Sequence, residues 1–168
     1  YVKLTWKEAF PKVYVTRKVV KDGSLYFGPF FPASGAYRAA ELVYRFFQVR
    51  DCDIPIDGKR GRACMKYQLH RCTAPCIAAV SQEAYREQAK EARMFLEGKR
   101  EELKARLESA MWQAAERHAF EQAAAHRDAL SQIDAWFTRQ KAAVVEQEDL
   151  DVFGWALLDG RAGVHRLV

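Results

Sequence analysis

Between residues 1 and 31 the chain reads as β-structure. Val13 and Val15 stand on either side of Tyr14, Thr16 follows, and Val19 and Val20 are again β-branched. Lys21-Asp22-Gly23-Ser24 is a turn signal whose Asp-Gly step suits a hairpin. An aromatic loop follows, Tyr26-Phe27-Gly28-Pro29-Phe30-Phe31-Pro32, with a bend expected at Gly28-Pro29. The period then becomes helical. Tyr37, Leu42, Val43, Tyr44, Phe46 and Phe47 predict an amphipathic helix over 34–48, with Ser34 as its cap. Ile54-Pro55-Ile56-Asp57-Gly58 breaks it, and the stretch to Cys76 is read as loop. One helical turn is expected there, carrying Met65, Tyr67 and Leu69.

From Ser81 to about Gln140 no proline occurs and helix formers dominate. Ser81 is the expected N-cap, and Gly98 ends the first helix. Leu103, Leu107, Ala110, Met111 and Ala114 lie on one stripe of a second helix. A break falls at Arg117-His118-Ala119. Phe120, Ala123, Ala124, Leu130, Ile133 and Phe137 then mark one side of a third helix. The short join makes residues 99–138 an antiparallel hairpin. So small an alanine-rich unit is marginal alone, and its stripe must meet either a partner helix pair or the rest of the chain. After residue 140 two strands are expected, Val152–Leu158 and Val164–Val168, around the turn 159–163. The fold class is therefore α+β, mostly α: a small β region and helix, a cysteine-bearing loop, a long helical hairpin and a terminal β-hairpin.

Composition sharpens this picture at one place. All four cysteines, Cys52, Cys64, Cys72 and Cys76, fall within 25 of the 168 residues, spaced C-x11-C-x7-C-x3-C. Four thiolates can complete a tetrahedral zinc site, hold an iron–sulfur cluster, or form two disulfides. Zinc sites commonly use two tight knuckles, and here only Cys72 and Cys76 are close, which fits a larger cofactor held by a wrapped loop. Spacing alone leaves all three readings open. His70 is the histidine nearest these cysteines, but four thiolates need no fifth ligand.

Charge sharpens it again. The net charge is +5, and residues 1–80 carry 14 Lys/Arg against 6 Asp/Glu. The positive field thus belongs to the cysteine-bearing half and suits a polyanion such as DNA. Arg50, Lys59, Arg60, Arg62, Lys66 and Arg71 interleave the loop, where they could steady thiolates or reach phosphates. No phosphate loop, H-E-x-x-H or nucleophile-elbow pattern occurs. The carboxylates of 81–140 lie at helical spacing from cations and read as ion-paired surface. No apolar run approaches a membrane span.

Several of these segments resemble the UvrC family of bacterial excinuclease subunits. They are Tyr26-Phe27-Gly28-Pro29-Phe30, Arg50-Asp51-Cys52, and the run from Arg62 through Cys64, Tyr67, Gln68, Arg71 and Cys72 to Ala74-Pro75-Cys76. Phe30 stands where the family usually has Tyr, and Leu69 where it has Ile. Met111, Phe120 to Asp128, and Ile133 are similar to the family's UVR motif.

The resemblance implies four regions: 1–31 as the end of a GIY-YIG nuclease domain and the loop after it, 32–80 as helix and cysteine-rich region, 81–140 as the helical region with the UVR hairpin, and 141–168 as the start of an RNase H-like domain. It implies a four-iron, four-sulfur cluster on Cys52, Cys64, Cys72 and Cys76, with zinc as the alternative. It also implies a cytoplasmic repair enzyme acting on damaged double-stranded DNA. Both nuclease centres, with their divalent metals, are expected outside this span, so the span itself is expected to cut no DNA. The chain opens and stops inside strand-like runs and is read as a piece of a longer protein.

Arg60, Arg62, Lys66 and Arg71 are the expected phosphate contacts. UvrB is the expected partner of the hairpin, through Leu107, Met111, Phe120, Ala123, Ala124, Arg127, Asp128, Leu130 and Ile133. Two other classes compete. A UVR-bearing zinc adaptor, such as a protein arginine kinase activator, should show repeated C-x2-C knuckles, which this chain lacks. A free-standing zinc module that binds DNA rests on spacing and charge alone.

Overall fold

Val2 and Leu4 are fully buried, and the strand that carries them sits at the centre of a sheet. The computed structural model of the protein describes residues 1–140 and the backbone of 152–158 and 161–167. Strand β1 (Val2–Leu4) pairs antiparallel with both β2 (Val13–Val15) and β3 (Leu25–Phe27), in the order β2-β1-β3. Val2 lies opposite Val15 on one side and Phe27 on the other. The expected hairpin across Lys21–Ser24 does not form, because β2 and β3 occupy opposite edges. Residues 16–24 instead cross from one edge to the other, and Val19 and Val20 are more than half exposed.

The turn serves the sheet through a side chain. Asp22 accepts the Ser24 N–H and, at 2.5 Å, the ammonium of Lys3. Lys3 is 8% exposed and its charge is also flanked by the rings of Tyr14 and Tyr26. The ion pair holds the Asp22 carboxyl well below the usual carboxylate range and the Lys3 ammonium above its own.

Helix α1 (Ser34–Leu42) continues into a π-helical turn, Val43–Phe47, and stops at Gln48, which is left-handed with φ 50°. Ser34 is not the cap. Ala33 occupies that position and makes no side-chain bond, while the Pro32 and Ala33 carbonyls take the Gly35 and Ala36 N–H groups. Ala36, Ala39, Ala40, Leu42 and Val43 are buried in the core, and Tyr37 points out at 64% exposure. The Tyr44 hydroxyl donates to the Val13 carbonyl at 2.9 Å and ties this helix to β2.

The helical half follows its sequence signals closely. Helix α2 is the expected single turn, Met65–Gln68, and Pro75–Ile77 forms a 3-10 turn. Helix α3 (Gln82–Leu96) is capped by the Ser81 hydroxyl, which accepts the Ala84 N–H at 3.2 Å. It ends at Gly98, φ 77°, where Gly98 and Lys99 donate to the Phe95 and Met94 carbonyls. Helix α4 (Arg100–Glu116) ends the same way, but with His118 in the left-handed position at φ 58°. Helix α5 (Phe120–Gln140) returns antiparallel along α4.

Phe95 is the centre of the packing between these layers. Its ring lies 5.8 Å from Phe47, 6.1 Å from Trp136 and 5.6 Å from Phe137, and Trp136 in turn lies 6.5 Å from Phe30. The last turns of α5 therefore join the main core, which also takes in Leu103, Leu107, Ala129 and Ile133. The hairpin's base packs on its own chain, and its tip does not. Strands β4 (Val152–Leu158) and β5 (Arg161–Leu167) pair antiparallel, with Leu158 opposite Arg161. The second strand thus starts three residues earlier than the expected Val164.

Two outcomes follow for stability. Phe95→Ala should cost about 3–5 kcal/mol in urea denaturation, since it empties the junction of three helices. Asp22 has a depressed carboxyl in the folded state, so its contribution is present above the unfolded carboxylate pKa and lost as pH falls below it. Asp22→Asn should flatten the acid limb of a stability–pH profile while leaving the slope between pH 6 and 8 unchanged, within about that window.

Candidate functional site

Residues 48–78 carry the cysteines, and the backbone there turns through rarely used conformations. Gln48, His70, Ala74 and Ala78 all have φ between 50° and 55°. None is glycine, and each costs roughly 1–2 kcal/mol in the left-handed region. Cys72 lies between His70 and Ala74, and Cys76 between Ala74 and Ala78. Each of them ends or begins a helical turn: Gln48 closes the π-helical turn, His70 closes α2, and Ala74 and Ala78 flank the 3-10 turn. Cys72 is 6% and Cys76 3% exposed, whereas Cys52 and Cys64 are half-buried.

All four cysteines are free thiols. Burial pushes the Cys72 thiol up to about 11, while the Ala74 N–H, 3.4 Å from its Sγ, opposes that rise. The charges of Cys52, Cys64 and Cys76 add to it. Among the described residues no three Cys, His, Asp or Glu side chains stand close enough to grip one metal ion. His70 is exposed.

The loop is fastened to the rest of the chain by a buried charge. Arg50 is 7% exposed. Its Nε donates to the Phe10 carbonyl at 2.9 Å, Nη1 to the Cys52 carbonyl at 2.7 Å, and Nη2 to Glu8 at 2.6 Å. Its amide donates to the hydroxyl of Tyr85, which is fully buried and itself donates to the Pro11 carbonyl, both at 2.8 Å. Burial pushes the Tyr85 phenol above its ordinary range, so it stays a neutral donor. Thr73 adds a further link, donating to Gln88 on α3 at 3.1 Å. Tyr85 carried no signal in the sequence beyond an apolar helix position, because its hydroxyl partners are backbone atoms far along the chain.

The four expected phosphate contacts divide into two pairs. Lys66 is held by Asp51, and Arg71 by Glu41 at 2.8 Å. Arg60 and Arg62 are exposed and, with Lys59, make no ion pair among the described residues. On α3 to α5 only part of the carboxylates are paired: Glu97 meets Arg93 at 2.5 Å within one helix and Asp134 meets Arg100 at 2.5 Å across the hairpin, whereas burial raises the carboxyl of Glu91, which has no ion pair among the described residues.

The expected partner face is also divided. Leu107 and Ile133 are 4% exposed and belong to the chain's own core. Met111, Ala123, Ala124 and Leu130 are half-buried. Phe120 is 66% exposed, with only His118 stacked near it at 5.9 Å. Arg127 and Asp128 are exposed and bond each other at 3.0 Å. Trp112, which the sequence reading passed over, is 65% exposed near the same end of the hairpin. Among the described residues no helix is long and apolar enough to cross a membrane.

These features define a class: a small sheet-and-helix body bearing a four-thiol loop, a basic surface and a projecting helical hairpin. Residues 1–95 match the family described as UvrC/Cho excinuclease, middle domain. UvrABC system protein C of Acidobacterium capsulatum is 40% identical over 166 residues, 98% of this chain and 26% of that protein. The namesake protein of Koribacter versatilis is 42% identical over 156 residues, 92% and 26% of the two lengths. That of Caldanaerobacter subterraneus is 37% identical over 166 residues, 98% and 27%. No solved structure matches the chain. The chain belongs to the UvrC/Cho excinuclease family, and it spans about a quarter of the length of the curated relatives it matches.

Tyr85→Phe tests the fastening. It should keep the packing against Phe10, whose ring lies 5.3 Å away. It should still cost about 1–3 kcal/mol in chemical denaturation, because the Arg50 amide and Pro11 carbonyl lose their partner. An unchanged midpoint would mean that the bridge carries no weight.

Proposed function

We propose that this chain is the central part of an excinuclease subunit of nucleotide excision repair, which incises damaged DNA on both sides of a lesion. In this reading the span is a scaffold: it holds an iron–sulfur cluster, contacts damaged double-stranded DNA, and binds UvrB. The nuclease centres and their divalent metals lie in flanking domains, and the span itself cuts nothing. The observation that carries the reading is the family match over a segment with four free thiols, of which Cys72 and Cys76 are buried.

The donor set has to be compatible with the size of the cofactor it holds. One tetrahedral ion with bonds near 2.3 Å needs its sulfurs within roughly 4 Å of one another. A four-iron cluster takes one sulfur per iron and accepts a wider ring. Four free thiols in one loop, two of them buried, make the all-sulfur donor set that either cofactor takes, and their uneven spacing favours the larger one. Cys52, Cys64, Cys72 and Cys76 would hold the cluster. When bound, it would supply a rigid cross-link between both ends of the loop and a one-electron centre. Arg50 would steady the Cys52 end, and the left-handed residues at 70, 74 and 78 the Cys72 and Cys76 end.

For DNA, Arg60 and Arg62 are the available phosphate contacts, and Lys66 and Arg71 would have to exchange Asp51 and Glu41 for phosphate. For UvrB, the exposed Phe120 is the anchor, with Met111, Ala123, Ala124 and Leu130 beside it and Arg127–Asp128 on the rim. Leu107 and Ile133 stiffen the hairpin from within.

Anaerobic reconstitution tests the cofactor. Four irons and four sulfides per chain are expected, with loss of the broad visible absorption on any single Cys→Ser change. Stoichiometric zinc without iron would overturn it. Phe120→Ala tests the partner: affinity for UvrB should fall at least tenfold, roughly 1.4 kcal/mol or more. The visible spectrum should stay unchanged. Normal binding would return Phe120 to the role of an incidental surface ring.

A further inference from the structure

The cysteine loop presents a surface that a purely phosphate-binding segment does not need. Helix α2 has no buried residue. Met65 is 72%, Leu69 57% and Tyr67 42% exposed, so the apolar side chains of this turn face outward. The turn is nevertheless well braced. Leu69 and His70 donate to the Met65 and Tyr67 carbonyls, Tyr67 to the Cys64 carbonyl, and Arg71 to the Lys66 carbonyl at 2.8 Å. The His70 and Arg71 bonds, with His70 left-handed, close the helix end as a Schellman motif. Cys64 and Cys72 stand at its two feet. Lys59, Arg60 and Arg62 lie just before it, exposed and without an acidic partner among the described residues.

A braced apolar knob beside unpaired cations fits one kind of polyanion. The outside of a paired duplex offers phosphates and mostly polar base edges. Apolar base faces become available only where the stack is opened, and there aromatic side chains stack and Met or Leu wedges between steps. We infer that Met65, Tyr67 and Leu69 form a wedge that engages unpaired or unstacked bases of DNA, while Arg60 and Arg62 hold the adjoining phosphates. The inference rests on the DNA-contact reading above and adds to it the state of the DNA and the residues that sense it.

The test compares binding of the cofactor-loaded chain to a fluorescent DNA duplex containing a short unpaired bubble and to the same duplex fully paired, across a salt series. In the variant Met65→Ser, Tyr67→Ala, Leu69→Ser, the preference for the bubble should fall about tenfold or more. Affinity for paired duplex and the salt slope should hold. In Arg60→Gln, Arg62→Gln, both substrates should bind more weakly, with a slope shallower by roughly 0.9 per lost phosphate contact. The visible spectrum and the urea midpoint should match the unsubstituted chain in both variants, since none of these side chains belongs to the core.

An unchanged bubble preference in the first variant overturns the wedge while leaving DNA contact intact. An equal loss on both substrates also overturns it and makes the knob a part of general DNA affinity. If the unsubstituted chain binds neither DNA, the DNA reading itself falls. If the first variant instead loses only affinity for anionic vesicles or for UvrB, the knob is a membrane or protein contact and the inference is wrong.

Discussion

Arg50 brings a full positive charge into the interior, and the surrounding chain is arranged to accept it. An unpaired buried charge is costly, and breaking such a pair is far worse than never having built it. The guanidinium meets this by reaching three groups at once: Glu8 and Phe10 before β2, and the Cys52 carbonyl at the start of the cysteine loop. Tyr85 completes the arrangement from α3 through the Arg50 amide and the Pro11 carbonyl. Sheet, loop and helix therefore share one polar joint. The cysteine loop has few apolar residues with which to pack, so its position depends on this joint, on the two buried cysteines, and on the links from Arg71 to Glu41 and from Thr73 to Gln88.

The second organising feature is the division of the helical hairpin. A forty-residue pair of helices with an alanine stripe buries too little surface to be independent. The last turns of α5 solve this with Ile133, Trp136 and Phe137, which enter the core around Phe95. Stability at the base leaves the tip free to keep Trp112 and Phe120 exposed. One element thus serves as both structural member and presented surface.

Electrostatics divides in the same manner. Lys66 and Arg71 are spent on Asp51 and Glu41 and fasten the loop, whereas Arg60 and Arg62 remain available. A count of positive charges cannot distinguish these uses, because each depends on which carboxylate the fold brings near.

Much was legible in the sequence because its cause was local. Helix periods, the Ser81 cap and the Gly98 stop come from residues within one turn of each other, and each appears where expected. The α+β class and the clustered cysteines were equally plain. Other features depend on distant partners and could not be read in advance. Strand order β2-β1-β3 replaced the local hairpin because the buried Val2 and Leu4 make β1 the central strand. Ser34 offered a cap that the preceding Pro32 and Ala33 carbonyls made unnecessary. The burial of Leu107 and Ile133, the exposure of Phe120, and the fork of Arg50 arise from contacts between segments tens of residues apart. The sequence by itself determined which elements form and that four thiols lie close along the chain. Only the tertiary structure decided which apolar and charged side chains are used up inside and which are left to meet a partner, because that depends on what packs opposite them.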